Sequence, residues 1–387
     1  MSEALRFSRI RLENWRNFVR IQTDLQRRAF LVGPNASGKS NLLDAFRFLH
    51  DIVSIGGGLE EAVRKRGGVS RLRCLAARNP SDVVVHVWLG NGDPSATWEY
   101  ELRITQDKRE RPIIRRERVA VGGTELVLRP DADDKTDPAR LSQTHLQQVN
   151  VNRKFRAVAD FFASVRYLHI VPQLVREPDR SAGKRNDPYG GDFLEQLART
   201  SEKTLRSRLR RIQAALRVAV PQLKQLELWR DARGTPHLRG KYEHWRPQGA
   251  WQGEQQFSDG TLRLLGLLWA VLDGTGPLLL EEPELSLHPG VVRFIAQMLA
   301  RMQGRTGRQV LVSTHSTDLL RDDGIGLDEV LLLTPGDEGT LVAMASGLKE
   351  IQALLEGGHV TLADALVPYT QPEHASQLML FGDGAAR

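Results

Sequence analysis

The sequence predicts an α/β protein organised around a parallel sheet. Three stretches predict it. "AFLV" runs into "GPNASGKS" and then into the helical spacing of "SNLLDAFRFLHDIVSI". "PLLLEEPELSLHP", Pro277 to Pro289, is an apolar run that ends on two carboxylates. "VLVSTHS", Val310 to Ser316, is another apolar run that ends in a polar loop. Short unbroken apolar runs suit strands buried on both faces, as in a parallel sheet.

Composition narrows the class. The 387 residues are 41% hydrophobic, enough for a large core and for two or three domains. Lys and Arg number 54 against 47 acidic residues, giving +7, which permits contact with nucleic acid without demanding it. The single cysteine, Cys74, excludes an internal disulfide and a thiolate metal cluster, and fits a reducing cytoplasm. No apolar stretch reaches the roughly 18 residues of a membrane span. The N-terminus "MSEALRFSRI" has no apolar signal core. A soluble, cytoplasmic protein with no membrane contact is expected.

In chain order, "LRFSRIRLENW" alternates as a half-buried strand does, and "FVRIQTDL" and "AFLV" follow as strands. The glycine loop and its helix come next, and "GGG" at Gly56 to Gly58 breaks that helix. Residues 60–130 predict a β-rich arm: "DVVVHVWLG", "TWEYELRITQD" and the hairpin "IIRRERVAV" to "TELVLR". "VRYLHIVP", Val165 to Pro172, is a further strand. Asp192 to Val220 predicts a long amphipathic helix or helix pair, stopped by Pro221. "QLELWRD" and "TPHLRGKYEH" predict an antiparallel pair, "TLRLLGLLWAVLDG" and "VVRFIAQMLARMQ" helices, and "DEVLLLTPG" and "TLVAMAS" closing strands.

Gly33-Pro34-Asn35-Ala36-Ser37-Gly38-Lys39-Ser40, followed by Asn41, matches the phosphate-loop pattern G-x-x-x-x-G-K-[ST]. Glycines let successive backbone N–H groups turn inward around a β-phosphate, and the following helix adds its positive end. Lys39 is then placed for the β- and γ-phosphates of ATP, and the Ser40 hydroxyl for Mg²⁺. Glu281 and Glu282 lie at a strand end, where adjacent side chains point to opposite sides, so the two acids take different roles. One faces Mg²⁺ through water and the next addresses the attacking water. His315 ends the other apolar strand, placed to contact the γ-phosphate or position water.

These motifs in this order resemble the ABC-type ATPases, and within them the RecF/SMC/OLD-like branch. "KSNLLDA", "FSDGTLRLLGLL" (Phe257 to Leu268), "LLLEEPELSLHP" and "STHS" carry the resemblance at both ends of the chain, and residues 60–250 match only loosely. The resemblance implies a P-loop NTPase fold, an ABC-type two-lobed ATPase head with a β-rich N-terminal lobe and a helical insertion. It implies an N-terminal lobe at 1–175, an insertion at 176–255, a C-terminal lobe at 256–350 and a tail at 351–387. Ser258, Asp259 and Gly260 resemble the signature turn that contacts the γ-phosphate held by a second subunit. Glu281 falls where the family usually has the Asp on the Mg²⁺ side, a departure of one methylene. Glu282 matches the catalytic base. Leu285 to His288 matches the loop that touches the partner's site. Gln173 or Gln143 fits the Gln that senses Mg²⁺ and γ-phosphate. Arg16 and Asn17 in "NWRNF" resemble the N-terminal strand motif, with Arg16 reaching nucleotide or lying on a strand surface.

The resemblance also implies partners. The signature turn requires two chains head to tail, with ATP between them. No DxD carboxylate pair follows the last ATPase strand, so an effector chain, a nuclease or toxin, is expected. Arg206, Arg208, Arg210 and Arg211, with Arg64, Lys65, Arg66, Arg115, Arg116 and Arg118, offer contacts to DNA phosphates or form solvated faces. "QLMLF", Gln377 to Phe381, resembles a sliding-clamp binding peptide, or packs on its own domain.

Overall fold

In the computed structural model the described residues are 5–77, 82–90, 93–181, 187–245, 250–357 and 360–371. The clamp-like peptide Gln377 to Phe381 lies outside them. The chain divides into two compact units, Met1–Val165 with Ser313–Arg387, and Arg166–Val312.

The first unit carries an antiparallel sheet of six strands, in the order Phe18–Asp24, Arg6–Trp15, Val83–Gly90, Trp98–Gln106, Pro112–Val121 and Thr124–Arg129. Alternation sends Ile10 and Leu12 inward and Arg9, Arg11 and Glu13 toward the polar face, and a register shift between Phe7 and Arg9 brings Phe7 inward as well. Inside, Phe7 packs on Phe46 and Phe161 with ring centroids 4.6 and 4.9 Å apart. Phe46 belongs to the helix Lys39–Val53, which also buries Leu42, Leu43 and Leu49. Burying each such side chain stabilises the unit by about 1.5–3 kcal/mol. The helix after the phosphate loop is thereby seated by its apolar stripe.

A second sheet segment in this unit holds Arg28–Val32. It pairs in parallel with Val330–Thr334, which pairs antiparallel with Leu341–Met344. The parallel pairing agrees with the unbroken apolar run at 29–32. Arg28 anchors its start, donating to Glu329 at 2.6 Å.

In the second unit Arg166–Leu168 pairs in parallel with Leu278–Glu281. The sequence predicts strand through Pro172, but the strand stops at Leu168. His169 and Val171 instead donate their N–H groups to Pro188 O at 2.9 Å and Tyr189 O at 3.0 Å. The helical region resolves into Phe193–Arg199 and Glu202–Ala219. The longer helix buries Leu209, Ile212 and Leu216 against Leu223, Leu226 and Leu238 of a three-stranded antiparallel sheet and against Trp269. That sheet adds a third strand, Ala250–Gly253, to the expected pair. Four residues are too few to show a period in sequence. Among the described residues no helix is long and apolar enough to cross a membrane.

Candidate nucleotide site

The loop Gly33–Gly38 leaves a fully buried strand and enters the helix Lys39–Val53. Its conformation needs special backbone: Ala36 has φ 63° and Gly38 φ 96°. A Cβ at Gly33 would overlap the Leu333 carbonyl, and one at Gly38 would overlap the Asn17 amide. Gly38 is the helix N-cap and supplies no side chain, so the first N–H groups of the helix have no side-chain cap. Asn35, Ala36 and Ser40 are exposed, while Ser37, Gly38 and Lys39 are buried. Lys39 Nζ donates to Gly33 O and Pro34 O, each at 2.8 Å. An uncapped helix start, an exposed hydroxyl and a lysine folded along the loop suit a bound phosphate chain with its metal.

Asn17 holds this loop from outside. Its Nδ2 donates to Ser37 O at 3.2 Å and Thr340 Oγ1 at 2.6 Å, and its Oδ1 accepts from Asn41 Nδ2 at 2.8 Å. Trp15 Nε1 adds a bond to Asn41 O at 2.8 Å. Sequence reasoning gave weight to Arg16, with Asn17 only as part of a motif. Arg16 instead sits at φ 54° and donates to Arg71 O at 3.2 Å, with Asp44 3.7 Å away. Those contacts place it against the chain around the helix. His315 is exposed and follows the strand Val310–Thr314 directly. The next residue, Ser316, caps the short helix Thr317–Leu320.

The acid pair lies in the second unit. Glu281 ends its strand, and its Oε2 accepts a hydrogen bond from the Tyr167 hydroxyl of the neighbouring strand. His169 Nδ1 lies 3.3 Å from the Glu281 carbonyl oxygen. Glu282 has φ 44°, a left-handed conformation that a non-glycine residue adopts at a cost of about 1–3 kcal/mol. Ser286 repeats it at φ 61°. The backbone thus leaves its extended path at the second acid, directly after the strand ends at Glu281.

Ser258 is exposed and caps the helix Asp259–Leu272, its Oγ accepting from Thr261 N at 3.2 Å. A Cβ at Gly260 would stand 2.5 Å from Ser286 O, so the turn at Ser258 to Gly260 packs directly on the loop after the acids. Arg176 fixes the turn by donating to Phe257 O at 2.7 Å and Asp259 Oδ1 at 2.6 Å. Arg263, one turn further, has a buried Nε without a hydrogen-bond partner. Burial lowers its pKa from the usual guanidinium value, opposed by the charges of Asp259 and Glu282. Arg176 did not stand out in the sequence, because its partners lie 81 and 83 residues along the chain.

Gln173 is exposed on the short helix Pro172–Arg176, not at a strand end. Gln143 lies in the first unit, where its carbonyl accepts from Arg129 Nη1 at 2.8 Å. Among the described residues no group of three or more His, Cys, Asp or Glu is placed to hold a metal. One or two protein oxygens with phosphate and water is the ordinary way to hold Mg²⁺, and the exposed Ser40 hydroxyl beside the loop suits that ion.

The basic residues divide. Arg66 is buried and bonds Asp44 at 2.7 Å and Asp51 at 2.8 Å, which removes it from any DNA surface. Its two carboxylate partners are 22 and 15 residues away, invisible to a local charge count. Arg208 pairs with Asp273 at 2.7 Å and lies over the Trp269 ring. Arg206 is exposed and pairs with Glu202 at 2.5 Å. Arg210 and Arg211 are exposed.

Solved structures with this fold exist. An Smc head bound to the C-terminal winged-helix domain of ScpA is 13% identical, covers 87% of this chain and 96% of its own, and has a TM-score of 0.53. The Pyrococcus furiosus Smc head with an extended coiled coil, bound to the C-terminal domain of ScpA, is 13% identical at 92% and 100% coverage, TM-score 0.54. The Pyrococcus yayanosii Smc head with a coiled coil and joint is 10% identical at 92% and 100% coverage, TM-score 0.51. At these identities the likeness shows the fold: the two-lobed ABC-type ATPase head. No curated protein sequence matches the chain. A family profile described as "AAA domain, putative AbiEii toxin, Type IV TA system" matches residues 28–322, which is more than half of the 387 residues. The chain belongs to that AAA family of P-loop ATPases.

Proposed function

We propose that this protein binds ATP with Mg²⁺, hydrolyses it, and uses the cycle to open and close a head-to-tail dimer in DNA repair or anti-phage defence. We place it with the RecF/SMC/OLD-like branch of ABC-type ATPases. The observation that carries the reading is the backbone between Glu281 and Glu282. Tyr167 holds the first acid, while φ 44° turns the second out of the strand. An acid held by Tyr167 and a second at a left-handed backbone position suit separate tasks, metal and water.

Lys39 and the loop N–H groups hold the phosphates, and Ser40 and Glu281 hold the metal, with Gln173 or Gln143 as its sensor. Mg²⁺ neutralises the charge that develops as the terminal phosphate is transferred. Glu282 orients the attacking water and takes its proton, with His315 beside the γ-phosphate. Ser258 to Gly260 of one copy close over the triphosphate bound by the other copy. The exposure of Ser258 and the helix start behind it support that contact. Differential binding of ATP to closed and open dimers makes the nucleotide a switch.

A second reading is a regulatory ATPase that controls a partner toxin or nuclease without touching DNA. The family description, with its toxin–antitoxin association, favours an effector chain. The ScpA domain bound to one Smc head shows that heads of this fold can carry a partner protein. Glu282→Gln protein should retain ATP and elute as a dimer in its presence, by light scattering after size exclusion. A monomer under saturating ATP removes the paired-head mechanism. ATPase rates with and without DNA divide the two readings, since only the first expects stimulation.

A further inference from the structure

The polar face of the six-stranded sheet is a network of compensated charges. Arg9 pairs with Asp24 at 2.5 Å, and Arg11 donates to Glu13 at 2.9 Å. Arg118 reaches Glu99 at 2.6 Å and Glu125 at 3.2 Å. One place departs from this balance. The register between the strands Trp98–Gln106 and Pro112–Val121 slips, with Arg103 opposite Arg116 but Ile104 opposite Ile114. Arg115 is therefore an extra residue in its strand, and a bulge of this kind re-aims a side chain. Two consecutive arginines, Arg115 and Arg116, join Arg103 around one cavity of about 850 Å³.

The carboxylates in that cavity leave Arg103 and Arg115 with unused donors, while Arg129, also in its lining, is paired with Glu117 and Asp134. Glu101 serves both Arg116, at 3.1 Å, and Arg103, at 3.8 Å. Asp82 is the other acid of the lining. Arg103 Nε is buried without a hydrogen-bond partner. Arg115 is exposed and makes no ion pair among the described residues. Leu128, 44% exposed, and Pro130 form an apolar wall beside the arginines.

We propose that this cavity is a second anion site, for a small phosphorylated ligand of nucleotide size. Guanidinium forks match phosphate oxygens in pairs, and Arg103 and Arg115 have donors to give. The apolar wall suits a base or sugar face. The volume lies within the roughly 300–1,000 Å³ range of small-molecule sites. The surrounding charge argues for a small ligand over a long polyanion. A nucleic acid strand crossing this face would pass Glu13, Glu99 and Glu125, where little positive charge remains to neutralise its phosphates.

The test separates this cavity from the phosphate loop by using Lys39→Ala protein. Calorimetric titration with inorganic pyrophosphate and with adenosine 5′-monophosphate should give saturable binding at one site. Arg115→Ala and Arg103→Ala should each weaken it by about tenfold or more, as loss of a charge-assisted fork does. Arg305→Ala, on the other unit, should leave it unchanged. Because Arg115 is exposed and without an ion pair, its variant keeps its melting temperature. Arg103→Lys, which keeps charge without the fork, should fall between. Absence of saturable binding by either probe, or binding indifferent to both alanine variants, overturns the proposal. So does a single-stranded oligonucleotide that binds more tightly than pyrophosphate and is lost in the same variants, which would make the cavity a nucleic-acid contact.

Discussion

Asn17 and Asn41 tie the turn between the first two strands to the helix behind the phosphate loop, with Asn41 Nδ2 donating to Asn17 Oδ1 at 2.8 Å. The same Asn17 amide reaches the Ser37 and Thr340 oxygens and fills the space where Gly38 lacks a Cβ. One side chain therefore sets loop, helix and closing strands together. Asn17→Leu should cost about 1–3 kcal/mol of stability by leaving polar partners unmet. Nucleotide affinity should fall as well, measured by titration with a fluorescent ATP analogue. An unchanged affinity would show that the loop keeps its shape without Asn17.

Gly260 and Ser286 give a sharper test of the turn proposed to close over the nucleotide of a second copy. A methyl at Gly260 would come 2.5 Å from the Ser286 carbonyl, so either the turn or the loop after the acids must move. Gly260→Ala should cost roughly 1–3 kcal/mol through overpacking. It should reduce ATP-dependent dimerisation and ATPase rate while leaving nucleotide binding by the Lys39 loop intact. Equal loss of binding and hydrolysis would argue for general unfolding.

Tyr167 donates to Glu281, the acid proposed to hold the metal. Tyr167→Phe removes the hydroxyl that donates to Glu281. A hydrogen bond to a charged group is worth about 1.5–3 kcal/mol, so the Mg²⁺ concentration for half-maximal ATPase should rise roughly tenfold. The rate at saturating Mg²⁺ should change less. A rate loss that Mg²⁺ does not restore would place Tyr167 in folding instead.

His86 predicts a pH dependence of stability. It is 8% exposed, with its ring 3.7 Å from Trp88. Burial pushes its pKa from 6.5 to about 4, with Glu101 and Glu99 pulling it up and Arg11 and Arg118 pushing it down. Between those two values the unfolded chain binds a proton that the folded chain refuses. The contribution is therefore fully present above about pH 6.5 and is lost as pH falls toward 4. Denaturant unfolding at pH 7 and pH 5 should differ by about 2 kcal/mol more in the parent than in His86→Phe. Equal differences would show that His86 is protonated in the folded state.

The phosphate loop was legible because its chemistry is local. Glycines, a lysine and a hydroxyl at fixed spacing after an apolar run leave few other uses, and the strand and helix around them are where the spacing predicts. The acid pair was legible for the same reason. The strand Val165 to Pro172 was read too long, because the competing hydrogen-bond acceptors at Pro188 and Tyr189 lie some twenty residues on. Asn17, Arg176 and Arg263 were underweighted, since a supporting side chain has no motif of its own.

By itself the sequence determined the strand and helix around the loop and the strand that ends on the paired acids, since these follow from neighbours along the chain. Tertiary structure decided which arginines are available and which are spent. Arg66 is enclosed by Asp44 and Asp51, and Arg115 is turned out by a one-residue slip in pairing. Charge in a sequence is a count, whereas free charge on a protein depends on distances between residues that only folding brings together.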